Sequence, residues 1–347
     1  MTPDKFQSNL LRWFDLHGRK DLPWQQPATP YRVWVSEVML QQTQVVTVIP
    51  YFNKFLQQYP TVEKLANAPI DEVLSLWAGL GYYARARNLH KAAGLINKAG
   101  YFPNTLETLM DLPGVGQSTA GAISSIAFSK SEPILDGNVR RVLARYKAVK
   151  GWTGSSAVNK QLWALSALYT PQERGADYTQ AIMDLGATLC TRSKPKCLDC
   201  PLNSACQALQ NDLVNQLPTP KPRKKIPVKQ SIFAILINKD NEIFLEKRAS
   251  IGIWGGLWSV PEFDNEGAIE QWCTLKSIQI SKKQTLEKRR HTFSHYHLDY
   301  VPILLYVDNL INNVMEADKA LWYKHRQMMN IALPAPVTQL FDELNED

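Results

Sequence analysis

LPGVGQSTAGAI, running from Leu112 to Ile123, places Gly114 and Gly116 between a helical segment that ends near Met110 and another that starts near Ser118. The two glycines let the backbone turn tightly and bare its N–H groups. Beside the N-terminus of a helix, such N–H groups can approach a phosphate closely. A plain helix–helix turn would use the same five residues LPGVG, so the pentapeptide alone leaves both readings open. The small residues of STAGAI that follow permit close packing of the second helix.

Outward from this hairpin the chain reads as helical. Apolar residues recur at three- and four-residue spacing over 31–57, 61–79, 86–98, 105–111, 118–128, 138–147 and 157–169, with prolines and glycines between the segments. The pattern stops at QLPTPKPRKKIPVKQ (216–230), which carries four prolines and five cations. It has too few apolar residues to fold and reads as a stiff, charged linker. Beyond it, SIFAILINKDNEIFLEKRA (231–249) reads as a strand, an Asp-Asn turn and a second strand, and HLDYVPILLYV (297–307) and KALWYKH (319–325) read as further strands. The expected organisation is therefore two domains: an all-α domain over 1–216, a basic linker over 217–230 and an α+β domain over 231–347.

Charge separates the same parts. The net charge is +7, with 22 Lys+Arg against 16 Asp+Glu in 1–216 and 12 against 16 in 231–347. The first domain and the linker thus suit a polyanion, although a basic balance alone is weak evidence. The N-terminal stretch has no apolar core of a signal peptide, and no run approaches the ~20 apolar residues of a membrane span. With free thiols, this points to the cytoplasm and to no membrane partner.

Four of the five cysteines fall within 17 residues: Cys190, Cys197, Cys200 and Cys206. Clustered thiols in a cysteine-poor chain suggest a metal or cluster site rather than a disulfide framework. Arg192, Lys194 and Lys196 fill the first loop between them, so a thiolate cage there would be wrapped in positive charge. A structural zinc in a non-catalytic DNA-binding protein is the rival reading of the same four residues. Cys273 lies apart and is expected to be a buried core thiol.

Two carboxylates form a candidate pair. Asp136, in ILDGNVRRVLAR, stands at the start of a helix, where the helix dipole favours its ionised form. Its plainest role would be an N-cap. Glu37, in YRVWVSEVMLQQTQV, shares a helical face with Val33, Trp34, Leu40 and Gln41. A carboxyl on a mostly apolar stripe has a raised pKa and can act as a general acid, unless a salt bridge at the surface holds it. One protonated and one ionised carboxyl is the usual arrangement for cleavage at a sugar C1′ centre. GLGYYARARN (79–88) interleaves aromatic and cationic residues, which suits insertion into a base stack with phosphate contacts.

Together, LPGVG, the aspartate about 20 residues later and the C-x6-C-x2-C-x5-C cluster resemble the helix-hairpin-helix, endonuclease III-like DNA glycosylases that carry a [4Fe–4S] cluster. SEVMLQQTQ (36–44), GLGYYARARN and ILDGNV resemble the adenine-specific, MutY-type branch of that superfamily, over essentially the whole chain. The resemblance implies a monofunctional hydrolase that removes adenine paired with 8-oxoguanine or guanine from double-stranded DNA, acting as a monomer. It implies that Glu37 protonates the leaving base, that Asp136 stabilises the oxocarbenium-like sugar and that Asn138 supports the site. Gln42 and Tyr82 would enter the base stack, and Leu112, Gly114, Gly116 and Ser118 would form the DNA-binding hairpin. Lys20, Trp24, Leu40 and Gln180 are implied for the adenine pocket, and the four clustered cysteines for the [4Fe–4S] cluster.

Endonuclease III carries a Schiff-base lysine where this chain has Ser118, and a serine forms no imine. The C-terminal domain resembles a MutT/Nudix fold through WGGLWSVPEF (254–263), but the Mg²⁺-binding second half of that signature is absent. The fold is thus expected without pyrophosphate hydrolysis. In MutY-type enzymes this domain reads 8-oxoguanine through a Phe-Ser-His loop, here Phe293, Ser294 and His295. The rival enzyme reading is an endonuclease III-like lyase acting on oxidised pyrimidines.

Overall fold

The computed structural model describes residues 1–222, 225–308, 319–324 and 331–344. The chain divides into two compact units, one of Met1–Asn67 with Arg87–Arg223, the other of Ala68–Ala86 with Lys224–Asp347.

The first unit is helical. Its elements are α1 (Pro3–His17), α2 (Pro30–Leu40), α3 (Val45–Gln58), α4 (Val62–Ala66), most of α6 (Ala84–Ala99), α7 (Leu106–Met110), α8 (Gln117–Phe128), α9 (Gly137–Tyr146), α10 (Ser156–Tyr169) and α11 (Gly175–Thr188). Helix α5 (Ile70–Trp77) belongs to the second unit. Starts follow capping chemistry: Thr2, Thr29 and Thr61 accept from the backbone of Lys5, Arg32 and Lys64, and Pro3 and Pro30 open α1 and α2. The core gathers Phe6, Leu10 and Phe14 of α1 against Val139, Val142, Leu143 and Tyr146 of α9, with Tyr169 of α10 and Leu185 of α11. The Phe6 ring sits 4.8 Å from that of Tyr146 and 4.3 Å from that of Tyr169.

The helices differ from the sequence reading at several points; 61–79, for one, is α4 and α5 rather than a single segment. The stretch 31–57 is two helices, because Gln42 takes a left-handed conformation (φ 60°) and Thr43 N–H turns back to the Leu40 carbonyl. Helices α1 and α11 lie outside the segments that periodicity suggested. The Pro-rich stretch is ordered at its start: Leu217 is buried, Thr219 bridges to Trp152 and its hydroxyl accepts the Gly151 N–H.

The second unit is built on a mixed sheet of β1 (Val228–Ile237), β2 (Ile243–Lys247), β3 (Trp258–Ser259), β4 (Glu262–Phe263), β5 (Ile280–Thr285), β6 (Arg289–Thr292), β7 (His297–Val307) and β8 (Ala320–Tyr323). Strands β1 and β7 run parallel from Val228↔His297 to Ile237↔Tyr306. Alternation sorts the faces. Phe233 and Ile235 pack with Val337, Leu340 and Phe341 of α13 (Ala335–Leu344), while Ala234 and Leu236 pack with Ile269 and Cys273 of α12 (Glu266–Leu275). Cys273 is accordingly a buried thiol of this core. The β1–β2 turn is the Asp-Asn turn read from sequence, with Asn238 accepting from the Asp240 and Glu242 backbones. His325, the last residue of the KALWYKH segment, lies outside the described residues.

Candidate active site

Four elements of the helical unit surround one cleft of about 900 Å³. Helix α2 contributes Glu37 and Leu40, and the turn after it Gln41 to Gln44. Helix α8 contributes Ser118 and Thr119, the start of α9 Asp136 and Asn138, and α11 Gln180 and Met183. Leu22 and Trp24 close one side from the loop after α1.

Asp136 is the N-cap of α9. Its Oδ1 accepts the Val139 N–H at 2.8 Å and its Oδ2 accepts Asn138 Nδ2 at 3.2 Å. Asn138 is held in turn by Arg141, whose Nη2 donates to its Oδ1 at 2.8 Å. Burial raises the Asp136 pKa, while the Val139 and Asn138 donors and Arg141 pull it back down. Glu37 has no such support: among the described residues no donor reaches its carboxyl. Burial, and then repulsion from Asp136, push its pKa up to about 8. Burial thus raises both carboxyls, but only Asp136 has donors that favour its ionised form, and its charge in turn raises Glu37, so Glu37 is the one that holds its proton to the higher pH.

Ser118 contributes differently from its expected place on a DNA-binding face. Its Oγ accepts the Leu135 N–H at 3.0 Å, tying the first turn of α8 to the residue before Asp136. The hairpin before it closes through Val115 N–H to the Leu112 carbonyl. Leu112 is buried, so the hairpin offers backbone rather than that side chain. Gly114 has φ 79°, and a Cβ there would lie 2.9 Å from Asn88 Cβ. Gly114→Ala is therefore expected to cost about 1–3 kcal/mol, read as a lowered thermal midpoint. Gly116 is the N-cap of α8, makes no side-chain cap and would point a Cβ into open space. The first N–H groups of α8 thus lack a capping side chain beside an unobstructed glycine.

One expected pocket contributor stands apart. Lys20 does not line the cleft: its Nζ donates to the Asp15 carbonyl at 2.6 Å and lies over the Phe14 ring. In the second unit, Tyr82 is half-exposed at φ 50° in a turn with Gly79 and Gly81. Arg85 of the same motif is buried rather than offered to phosphates. It donates to the Leu80 and Gly81 carbonyls, both at 3.1 Å, and packs over Trp77 and Tyr82.

Cys190, Cys197, Cys200 and Cys206 line a second, small cavity of about 30 Å³ with Tyr146 and Leu189. Burial raises the Cys197 and Cys206 thiols and pushes Cys200 up to about 12. Arg145, itself buried, reaches this loop from α9. It donates to Cys190 Sγ at 3.4 Å and to the Thr191, Arg192, Val214 and Leu217 carbonyls. Arg192, Lys194 and Lys196 stay exposed around it.

Residues 35–167 match the family described as HhH-GPD superfamily base excision DNA repair protein, and residues 232–343 match the NUDIX domain. The adenine DNA glycosylase of Buchnera aphidicola subsp. Baizongia pistaciae is 39% identical over 100% of this chain and 98% of its own. This chain belongs to the adenine DNA glycosylase family. The human adenine DNA glycosylase is 36% identical over 85% of this chain and 66% of its own. Among solved structures, a thermostable thymine-DNA glycosylase superposes with TM-score 0.53 at 28% identity, covering 60% of this chain and 97% of that one. Endonuclease III in a non-covalent DNA complex gives TM-score 0.51 at 22% identity over 61% of this chain and 99% of its own, a likeness of fold.

Family membership fits the two units found, a helix-hairpin-helix body and a Nudix-type sheet. In the latter, Phe293 stacks within a cluster of Trp254, His291 and Tyr296, and its N–H closes a turn onto the Tyr296 carbonyl. That turn exposes Ser294 and His295 at the tip between β6 and β7. Sequence reasoning missed Arg19 and Asp184. Asp184 is fully buried on α11, and Arg19 reaches it from the loop after α1 at 2.5 Å.

Proposed function

We propose that the cleft hydrolyses the N-glycosidic bond of adenine mispaired with 8-oxoguanine or guanine in duplex DNA and leaves an abasic site. The observation that carries this reading is the carboxyl pair: a half-buried Glu37 with pKa about 8 beside an Asp136 held by two hydrogen bonds. Adenine inside a duplex is out of reach, so the base is extruded at a cost of a few kcal/mol, less for a mispaired base. Glu37 gives its proton to a ring nitrogen as the C1′–N bond breaks, and the bonding electrons leave with the neutral base. Asp136, oriented by Asn138, stabilises the positive charge developing on the sugar; water then adds at C1′ and gives up a proton, which restores the Glu37 carboxyl. The residues lining the cleft include Arg19, Arg141 and Arg192 but no lysine among those described, which favours hydrolysis without a lyase step.

DNA would be held by the uncapped start of α8 at Gly116, by Gln42 and Tyr82, and by Arg192, Lys194 and Lys196 of the cysteine loop. Gln42 and Tyr82 both occupy left-handed conformations that side chains other than glycine take at a cost, a strain in keeping with wedges poised for a base stack. The four thiols fit a [4Fe–4S] cluster in chemistry: four soft donors around one apolar cavity, with the Arg145 guanidinium at Cys190 Sγ to offset thiolate charge. When bound, such a cluster would brace the basic loop.

Adenine release is the test. Duplexes with adenine opposite 8-oxoguanine or guanine should yield free adenine, and adenine opposite thymine should not; equal release from all three would overturn the mispair reading. Ser294→Ala or His295→Ala is expected to reduce the preference for 8-oxoguanine over guanine about tenfold, the worth of one buried hydrogen bond. An unchanged ratio would remove this turn from recognition.

A further inference from the structure

Asp184 takes no part in the chemistry above, yet four donors converge on it. Its Oδ2 accepts the Arg19 backbone N–H at 2.8 Å. Its Oδ1 accepts Arg19 Nε at 3.0 Å, Arg19 Nη2 at 2.5 Å and Gln180 Nε2 at 2.8 Å. The last bond fixes a polarity. A carboxylate paired with a guanidinium has only lone pairs to offer, so only the –NH₂ end of a glutamine amide can face it. The oxygen and nitrogen of such an amide are otherwise nearly interchangeable in shape. Gln180 lines the cleft and Asp184 does not, so the end of the amide left for the cleft is the carbonyl oxygen.

We infer that Asp184 is a specificity-determining positioning residue: it locks the Gln180 amide so that the cleft presents an acceptor, selecting a base with an exocyclic amine over one with a carbonyl at the same place. The inference rests on reading the cleft as the base pocket. Adenine carries an amine at C6, whereas guanine and hypoxanthine carry an oxygen there. Two carbonyl oxygens facing each other leave both unpaired, and a site built around a hydrogen bond rejects such an analogue more strongly than a mere change of size. Arg19 completes the device. It supplies three of the four donors and keeps a fully buried carboxylate compensated.

The test compares excision of adenine, hypoxanthine and unsubstituted purine by the full-length protein, each opposite 8-oxoguanine in otherwise identical duplexes. In Asp184→Asn the new amide can donate, and the Gln180 amide can turn over. The preference for adenine over hypoxanthine is expected to fall about tenfold or more, while purine, which has no group at that place, is released at the wild-type rate. A parallel fall for all three bases would overturn the inference, since Asp184 would then only hold the fold. Gln180→Leu keeps the Arg19–Asp184 pair and decides the matter if Asp184→Asn does not fold. It should narrow the adenine-over-purine advantage about tenfold, and an undiminished advantage would also overturn the inference. Wild-type protein that releases none of the three bases would instead overturn the glycosylase reading beneath it.

Discussion

Glu37→Gln is expected to lower adenine excision by about 10²- to 10⁴-fold, the usual range for loss of a general acid, while binding to a mispaired duplex is retained. The cause is local. Burial and the neighbouring Asp136 hold the Glu37 proton up to about pH 8, so at neutral pH most molecules carry it. Gln has the same shape but no proton to give. The sign of the pH dependence follows. Excision by the wild type should fall as pH rises through about 8, when Glu37 ionises, and should also fall in acid as Asp136 protonates. Stability moves separately. A carboxyl whose folded pKa is raised contributes its full stability below its unfolded pKa and loses it as pH rises through the folded value. Glu37→Gln cannot ionise, so its melting temperature should exceed that of the wild type by a margin that widens between pH 5 and 8. A variant that binds DNA, melts higher and still turns over near the wild-type rate would remove Glu37 from the chemistry.

Asp136→Asn is expected to reduce excision about 10²- to 10³-fold, because the sugar cation loses the one stabilised anion of the cleft. Magnitudes separate this from a folding defect. Asn caps a helix about as well as Asp, so loss of the charge at the helix start costs roughly 0.3–1 kcal/mol of stability, whereas the catalytic loss corresponds to roughly 2.7–4 kcal/mol on the barrier. The burial that raises the Asp136 pKa further softens the effect of neutralising it on stability. Excision and thermal midpoint measured on the same preparation should therefore disagree. A loss of activity matched by an equal loss of folded protein would reduce Asp136 to a cap.

The reading of Glu37, Asp136 and the four cysteines came from short, local patterns, and the two carboxyls do line one cleft while the thiols line one cavity. Both domain types were likewise visible as a change from helical to strand-like periodicity at the Pro-rich stretch. What escaped the sequence depends on partners far along the chain. Asp184 meets Arg19 across 165 residues, and Arg145 meets backbone carbonyls 46 to 72 residues away, which no residue type announces. Arg85 looked like an exposed phosphate contact because a cation beside tyrosines usually is one. The carbonyls of its own glycine turn and the face of Trp77 bury it instead. Helix α1 is a different case. Phe6, Leu10 and Phe14 stand four residues apart and all are buried, so the stripe of this helix is present in the sequence, interrupted by polar neighbours. The break at Gln42 was hidden because a left-handed glutamine has no composition signal, and it falls at a residue of the cleft.

The most direct test of the central claim is strand scission on two duplexes, one with adenine opposite 8-oxoguanine and one with thymine glycol opposite adenine, each scored with and without alkali. The account requires breaks at the adenine position only, and only after alkali has opened an abasic site. Cutting at thymine glycol without alkali would contradict it and would mean that an amine elsewhere does the work that Ser118 cannot.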